Sequence, residues 1–271
     1  GLIYDGAKAL KKCLSIDPDY FPALQEQRVV NRLIKMNAEN IYRRGNVVIL
    51  FPDHRLYRHV EEMYPRIKKS INYLERHLKY HIPELWIKVV KRVERHEHPP
   101  ALYDHIDSAI YVEIDAIKKG ELRPLLHELT YMYIRRLTKN HCPDWLEEGL
   151  CLWVSRPHIL RDTPLRTLKH KELDFKQKFP RDKRYLRWQK TTPRMRRKLL
   201  VAYLIVKYLL DNYGWPSVRK ILAAFADKTS RWDKVVWNVL HLDAQTFQRR
   251  WDVYTMSNYY FAPASINSAP K

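Results

Sequence analysis

The stretch of residues 125–153, LLHELTYMYIRRLTKNHCPDWLEEGLCLW, constrains the fold of this chain more than any other. Its two apolar runs have helical spacing, and the KNHCP segment between them favours a turn. His127 and Tyr131 are four residues apart, so they share one face of the first predicted helix, and Glu148 lies on the second. We therefore expect two packed helices that bring an imidazole, a phenol and a carboxylate towards one place.

Each of these helices carries an apolar stripe. The first is predicted to begin near Glu121, with Pro124 in its first turn, where a missing N–H is tolerated. Its stripe, expected to pack on a sheet, comprises Leu122, Leu125, Leu129 and Met132. The stripe of the second comprises Leu146, Leu150 and Trp153. Gly149 is expected to let the two helices approach closely.

The HELTY and PDWLEEG segments resemble the active-site half of the gluzincin zinc metallopeptidases, the peptidase MA-like group, in which His-Glu-x-x-His is followed by Trp-Leu-x-Glu-Gly. The resemblance covers about residues 46–255. It implies that His127 and Glu148 bind zinc and that Glu128 is the general base. Glu147 takes the variable position, expected to be solvated, and Tyr131 stands where the second histidine ligand belongs.

The tyrosine is the point at which the resemblance breaks down. A phenol has a pKa of about 10, so it binds a metal only if the metal drives its ionisation. Zinc is therefore a possible cofactor whose affinity is reduced by several kcal/mol, with Tyr131 as a doubtful ligand. His141 or Cys142 is an alternative ligand, although a turn residue and a buried thiol are the expected roles. The family's oxyanion tyrosine matches Leu199 by register, with Tyr203 one turn further on.

The rest of the chain predicts a helix-rich α+β protein with a zincin-like architecture: a small mixed sheet, the active-site helix and a helical C-terminal subdomain. Strands are predicted at residues 46–51, 85–93 and 109–114, and an amphipathic helix at 54–81. Residues 96, 98 and 105 are histidines expected in a solvated loop. Further helices are predicted at 199–213, ended by Gly214, and at 218–226, 234–240 and 244–254. Residues 256–271 are expected to form a flexible tail.

Residues 1–44 are predicted to be helical and to resemble one tetratricopeptide unit, a helical hairpin with an Asp-Pro-Asp turn. One such unit cannot bury its own apolar face, so it must pack on the following domain, residues 45–255, or on repeats further upstream. Because the chain opens on Gly rather than Met, processing or truncation of the N-terminus stays open.

Residues 156–198 are predicted to form a basic insertion in the peptidase-like domain. They contain 16 Lys or Arg against four Asp or Glu, a net charge of +12 within a chain whose net charge is +20. Aromatic residues are interleaved with these cations, which favours nucleic acid or another polyanion as partner. The candidate contacts are Lys183, Arg184, Arg187, Trp188, Arg196 and Arg197. A solvated basic loop is the alternative.

Three cysteines, Cys13, Cys142 and Cys151, are too few and too odd in number for a disulfide framework. The apolar run at 199–210 is interrupted by Lys207 and too short to span a bilayer, so a soluble protein is expected. Three functions follow as hypotheses. The first is a pseudopeptidase or altered peptidase that holds a peptide or protein in its cleft. The second is an active zinc peptidase that uses Tyr131 or a loop residue as ligand. The third is a polyanion-binding protein on a peptidase scaffold.

Overall fold

The computed structural model describes residues 2–18, 23, 26, 27, 31, 40–91, 100–105, 108–155 and 192–260. Over these ranges the protein has an α+β architecture in which helices pack on a five-stranded mixed sheet. The strands are β1 (Asn40–Arg44), β2 (Val47–Phe51), β3 (Leu85–Val90), β4 (Ala101–Asp104) and β5 (Ala109–Glu113). Their order across the sheet is β1-β2-β3-β5-β4.

The helices of the first half are α1 (Leu2–Ile16), α2 (Tyr57–Leu78), which a 3₁₀ turn at His54–Leu56 precedes, α3 (Ile114–Lys118) and α4 (Arg123–Leu137). Those of the second half are α5 (Asp144–Ser155), α6 (Pro193–Ala224), α7 (Trp232–Leu240) and α8 (Ala244–Thr255). A π-helical turn at Met256–Tyr260 extends α8, so the tail predicted to start at residue 256 is wrong for these five residues.

The central strands β2, β3 and β5 are parallel, and β1 and β4 pair antiparallel at the two edges. The three predicted strands are present with slightly shorter ends, and the two edge strands were not predicted. The helical prediction for residues 1–44 is therefore wrong at Asn40–Arg44, which pairs with β2. This strand places the start of the sheet before the predicted domain boundary at residue 45. Only Tyr42 of β1 is buried, so the strand lacks the apolar pattern that identified β2.

Helix α2 confirms the predicted amphipathic pattern. Its buried residues are those of the predicted stripe, Val60, Met63, Tyr64, Ile67, Ile71, Leu74 and Leu78. These side chains join alternate residues of β2, such as Ile49 and Phe51, in the main core. Lys79 ends the helix in the left-handed conformation, with a φ of 53°. Sheet and helix together form the platform on which α4 lies.

Helix α5 lies between α4 and α6, and most of its residues are therefore buried. A Cβ atom at Gly149 would lie 2.3 Å from the carbonyl oxygen of Ala202 and 2.7 Å from Val206 Cγ2, both on α6. The glycine thus permits a close helix approach, as predicted, but the contact is with α6 rather than with α4. Helix α6 itself bends at Gly214, whose φ of 65° and ψ of 176° interrupt it where the sequence predicted an end.

The remaining predictions for this part of the chain have mixed outcomes. His105 is exposed in the turn between β4 and β5, as expected for a loop histidine, whereas His96 and His98 lie outside the described residues. Helix α1 is present, but the second half of the predicted hairpin falls largely outside the described residues, so the tetratricopeptide resemblance stays a prediction. The three cysteines are free thiols, with Cys142 and Cys151 buried.

Candidate active site between helices α4 and α5

Helices α4 and α5 bring His127 and Glu148 together in the interior. Leu122, Leu125, Leu129 and Met132 are all buried, as predicted, and they fix the face of α4 that turns away from solvent. On the neighbouring face, His127 Nε2 lies 3.4 Å from Glu148 Oε2. His127 is 2% exposed and Glu148 is 4% exposed. The convergence that the two sequence motifs predicted is therefore present.

The spacing of this pair has a chemical consequence. Two ligands of a tetrahedral zinc ion, each at about 2.0–2.2 Å from the metal, are about 3.3–3.5 Å apart. The separation of His127 Nε2 and Glu148 Oε2, 3.4 Å, lies in that range. Within the described part of the chain, neither ring nitrogen of His127 has a hydrogen-bond partner. The distance between these two atoms is therefore compatible with two ligands of one zinc ion.

Glu128, the predicted general base, is fully buried and has a structural partner. Its Oε2 accepts a hydrogen bond of 2.8 Å from the backbone N–H of Tyr103, on edge strand β4. The Tyr103 ring in turn packs edge-on against Tyr131, with ring centroids 6.4 Å apart. The carboxylate therefore joins α4 to the edge of the sheet, and the two tyrosine rings lie beside it.

Tyr131 lies near three carboxylates and is a poor candidate for a metal ligand. Burial raises the pKa of its phenol well above the ordinary value, and the carboxylate of Glu147 raises it further. Glu128 and Glu148 act in the same direction, whereas the cation of Arg135 opposes them. Because zinc binds the phenolate rather than the phenol, this environment disfavours the protonation state that coordination needs.

Glu147 is 3% exposed, so the prediction that it is solvated is wrong. It forms a two-pronged ion pair with Arg135 of α4, with distances of 2.8 Å from Nε to Oε1 and 3.1 Å from Nη2 to Oε2. Burial opposes the charge of Arg135, but the Glu147 carboxylate more than offsets this and raises the pKa of the guanidinium. The Arg135 Cζ atom also lies 4.6 Å from the centre of the Tyr131 ring. Both sides of α5 are covered, which explains why two consecutive glutamates are buried.

The described residues around His127 and Glu148 do not complete a zinc site. Across the residues that the structure describes, no group of three or more His, Cys, Asp or Glu side chains has the arrangement of a metal site. Cys142 is buried, as expected, and burial together with Glu147 raises the pKa of its thiol, which disfavours the thiolate. His141 is exposed in the turn before α5. His127 and Glu148 are suitably placed, but the third donor fits poorly.

The other predicted site residues are more scattered. Leu199 is buried in the core, and Tyr203 packs on Trp153 with ring centroids 5.6 Å apart. Arg196 is half-buried and Arg197 exposed near the start of α6. The remaining predicted nucleic-acid contacts, Lys183, Arg184, Arg187 and Trp188, lie outside the described residues.

Two residues of the site were missed in the sequence, Arg135 and Tyr103. Arg135 follows Tyr131 by four residues and His127 by eight, so helical spacing alone places it on the same side of α4. Tyr103 had no such signal, because it reaches the site through its backbone N–H on an unpredicted strand.

Comparisons of the chain with protein-family models, with curated proteins and with solved structures found no match. The helices that the structure describes include none that is both long and apolar enough to cross a membrane. The site geometry therefore carries the argument about function.

Proposed function

We propose that this protein is a metallopeptidase-like pseudoenzyme, with a degenerate zinc site and no peptide hydrolysis of its own. The observation that carries the proposal is the convergence of His127 and Glu148, 3.4 Å apart, beside a neutral phenol at Tyr131. A gluzincin-type site needs three protein ligands and an open fourth position for water. Here the phenol of Tyr131 takes the place of the second histidine ligand, and its surroundings favour the protonated form.

Two further features support the absence of hydrolysis. His127, Glu128 and Glu148 are each no more than 4% exposed among the residues that the structure describes, whereas a hydrolytic site must admit water and substrate to these groups. The Glu128 carboxylate accepts a hydrogen bond from the Tyr103 N–H, and this contact ties it to the sheet edge. A general base must instead reach the water whose proton it removes.

The partner class proposed for the cleft is a peptide or protein segment. Strand β4 is the edge strand nearest α4, and an extended segment can add to such an edge through backbone hydrogen bonds. Glu128 already accepts the hydrogen bond from Tyr103 N–H, so a bound segment would have to use other groups of the edge or displace this carboxylate. The protein would then hold a segment without cleaving it.

The proposal is tested by the zinc content and peptidase activity of protein purified without chelators. We expect less than about 0.1 zinc per chain by elemental analysis, and no cleavage of a mixed peptide library with or without added zinc. The alternative, an active peptidase with Tyr131 as ligand, is favoured by the 3.4 Å pair distance alone. It requires stoichiometric zinc and cleavage that His127→Ala abolishes. His54→Ala, which changes an exposed histidine in the 3₁₀ turn before α2, is the matched control.

A further inference from the structure

A basic groove lies along helix α2. It has a volume of about 550 Å³, and four cations line it, Arg44, Lys68, Lys69 and Arg76, together with Asn72 and Tyr73. Lys68 is half-buried, and the other three cations are exposed. No acidic side chain is part of the lining. A concave surface with four positive charges and no carboxylate selects for an anion.

Of the four cations, Arg44 interacts with Tyr42 and with the nearby Glu61 carboxylate. Over the described residues, Lys68, Lys69 and Arg76 have no ion pair with a carboxylate. The cation Arg76 also affects His77, the residue that follows it on α2. The pKa of His77 is lowered by burial and then by the cations Arg76, Arg219 and Lys79. The positive potential at this surface is thus available to a partner.

The arrangement of the cations favours a polymer over a single small anion. Residues 68, 69, 72 and 76 fall within about 100° of the helix surface and, at about 1.5 Å per residue, span about 12 Å along α2. One strand of B-form DNA carries a phosphate every 3.4 Å or so along its axis, and an unstacked strand is more extended. Two to four consecutive phosphates therefore fit beside this row, whereas a lone phosphate would leave most of the charges unused.

The groove also borders the point from which the basic stretch of the sequence departs. Tyr73, in its lining, accepts a hydrogen bond of 3.3 Å from Trp153 Nε1 near the end of α5. Arg156 is the first residue after α5 and opens the stretch of residues 156–198, whose net charge is +12. The end of α5, after which this stretch follows in the sequence, therefore contacts the lining of the groove.

We infer that the α2 groove binds the phosphate backbone of a single-stranded nucleic acid, with Lys68, Lys69 and Arg76 as its main contacts. The groove is a site separate from the His127–Glu148 pair, and the inference does not depend on the proposed pseudopeptidase function. Such contacts are electrostatic, so affinity falls steeply with salt and depends little on base sequence.

The test is fluorescence anisotropy of labelled oligo-dT and oligo-U, of about 15 nucleotides, with the full chain over a range of salt concentrations. Removing three phosphate contacts by Lys68→Ala/Lys69→Ala/Arg76→Ala should weaken binding by about tenfold or more and lower the salt slope by about 2. Lys69→Ala/Arg76→Ala changes only exposed side chains and should show a proportionate loss, which guards against misfolding at half-buried Lys68.

The matched control is Lys228→Ala/Lys234→Ala/Arg250→Ala, which removes the same charge from exposed residues after α6, in α7 and in α8. We expect this control to retain most of the affinity, and bound oligonucleotide to protect Lys68 and Lys69 from acetylation in the wild-type chain. Equal losses in both triple variants would overturn the inference, because net charge alone would then explain binding. Wild-type affinity in the groove variant, or tighter binding to heparin or anionic vesicles than to oligonucleotides, would do the same.

Discussion

The close approach of α5 to α6 at Gly149 gives a sharp stability prediction, the effect of Gly149→Ala. The added Cβ would lie 2.3 Å from Ala202 O, 2.7 Å from Val206 Cγ2 and 2.9 Å from Ala202 C. Two of these three atoms belong to the backbone of α6 and cannot rotate away. Helices α5 and α6 must therefore separate by roughly 1 Å to restore ordinary van der Waals distances.

The expected cost follows from two opposing effects. Overpacking a well-filled interior costs about 1–3 kcal/mol and sometimes more, and backbone contacts place this site at the upper end, about 3–4 kcal/mol. Alanine has a helix propensity about 1 kcal/mol better than that of glycine, which offsets part of the loss. The free energy of unfolding should fall by about 2–3 kcal/mol, which lowers the melting temperature by roughly 5–10 °C in a chain of this size.

Urea denaturation followed by circular dichroism measures this change. Val206→Ala in the same background is the informative comparison, because it removes one of the clashing atoms and leaves both backbone contacts. In the Val206→Ala background, Gly149→Ala should cost nearly as much as in the wild type. The difference between the two costs, which is the coupling energy, should be less than about 1 kcal/mol. A Gly149→Ala variant as stable as the wild type would show that α5 and α6 are further apart than described, and the packing argument would be wrong.

Three further predictions concern the site. Arg135→Gln should lower the free energy of unfolding by about 2–3 kcal/mol, because it leaves the Glu147 carboxylate buried without its cation. Its control is the neighbouring variant Arg136→Gln, which should change the free energy of unfolding by less than about 0.5 kcal/mol in the same urea titration. Glu128→Ala should cost about 1–3 kcal/mol through the lost Tyr103 N–H contact, and Glu128→Gln, which keeps an acceptor oxygen, less than about 1 kcal/mol. The folded state raises the pKa of Tyr131, so its contribution to stability is present below about pH 10 and is lost as pH rises above that value. Tyr131→Phe should therefore flatten the fall of the urea midpoint between about pH 9 and 11, and an unchanged slope would contradict the burial of the phenol.

Strong periodicity made part of the fold predictable from the sequence. The seven-residue stripe of α2 repeats every three or four positions over several turns, so its buried face could be identified residue by residue. The apolar β2 and β5 segments were equally clear. The edge strand β4 has only four residues, follows two prolines and buries only Ala101, so no alternation marks it. Local pattern fails where a strand is short and half exposed.

The candidate site shows the same division. The approach of His127 to Glu148 followed from helical spacing in two neighbouring segments. The burial of Glu147 did not, because a charged residue beside an apolar stripe is usually solvated, and only the packing of α5 between α4 and α6 covers it. The Glu128–Tyr103 contact depends on a backbone N–H, which carries no side-chain signature. The environments of Glu147 and Glu128 thus depend on tertiary contacts rather than on local spacing.

The most direct test of the degenerate site is to restore the missing ligand with Tyr131→His and to measure zinc binding by isothermal titration calorimetry with elemental analysis. If His127 and Glu148 are placed as described, the new imidazole completes a set of three ligands, and the variant should bind one zinc per chain. Adding His127→Ala to this variant should abolish zinc binding. Wild type and Tyr131→Phe should bind none under the same conditions. A Tyr131→His variant that takes up no more zinc than Tyr131→Phe would contradict the claim that these side chains converge on one metal position.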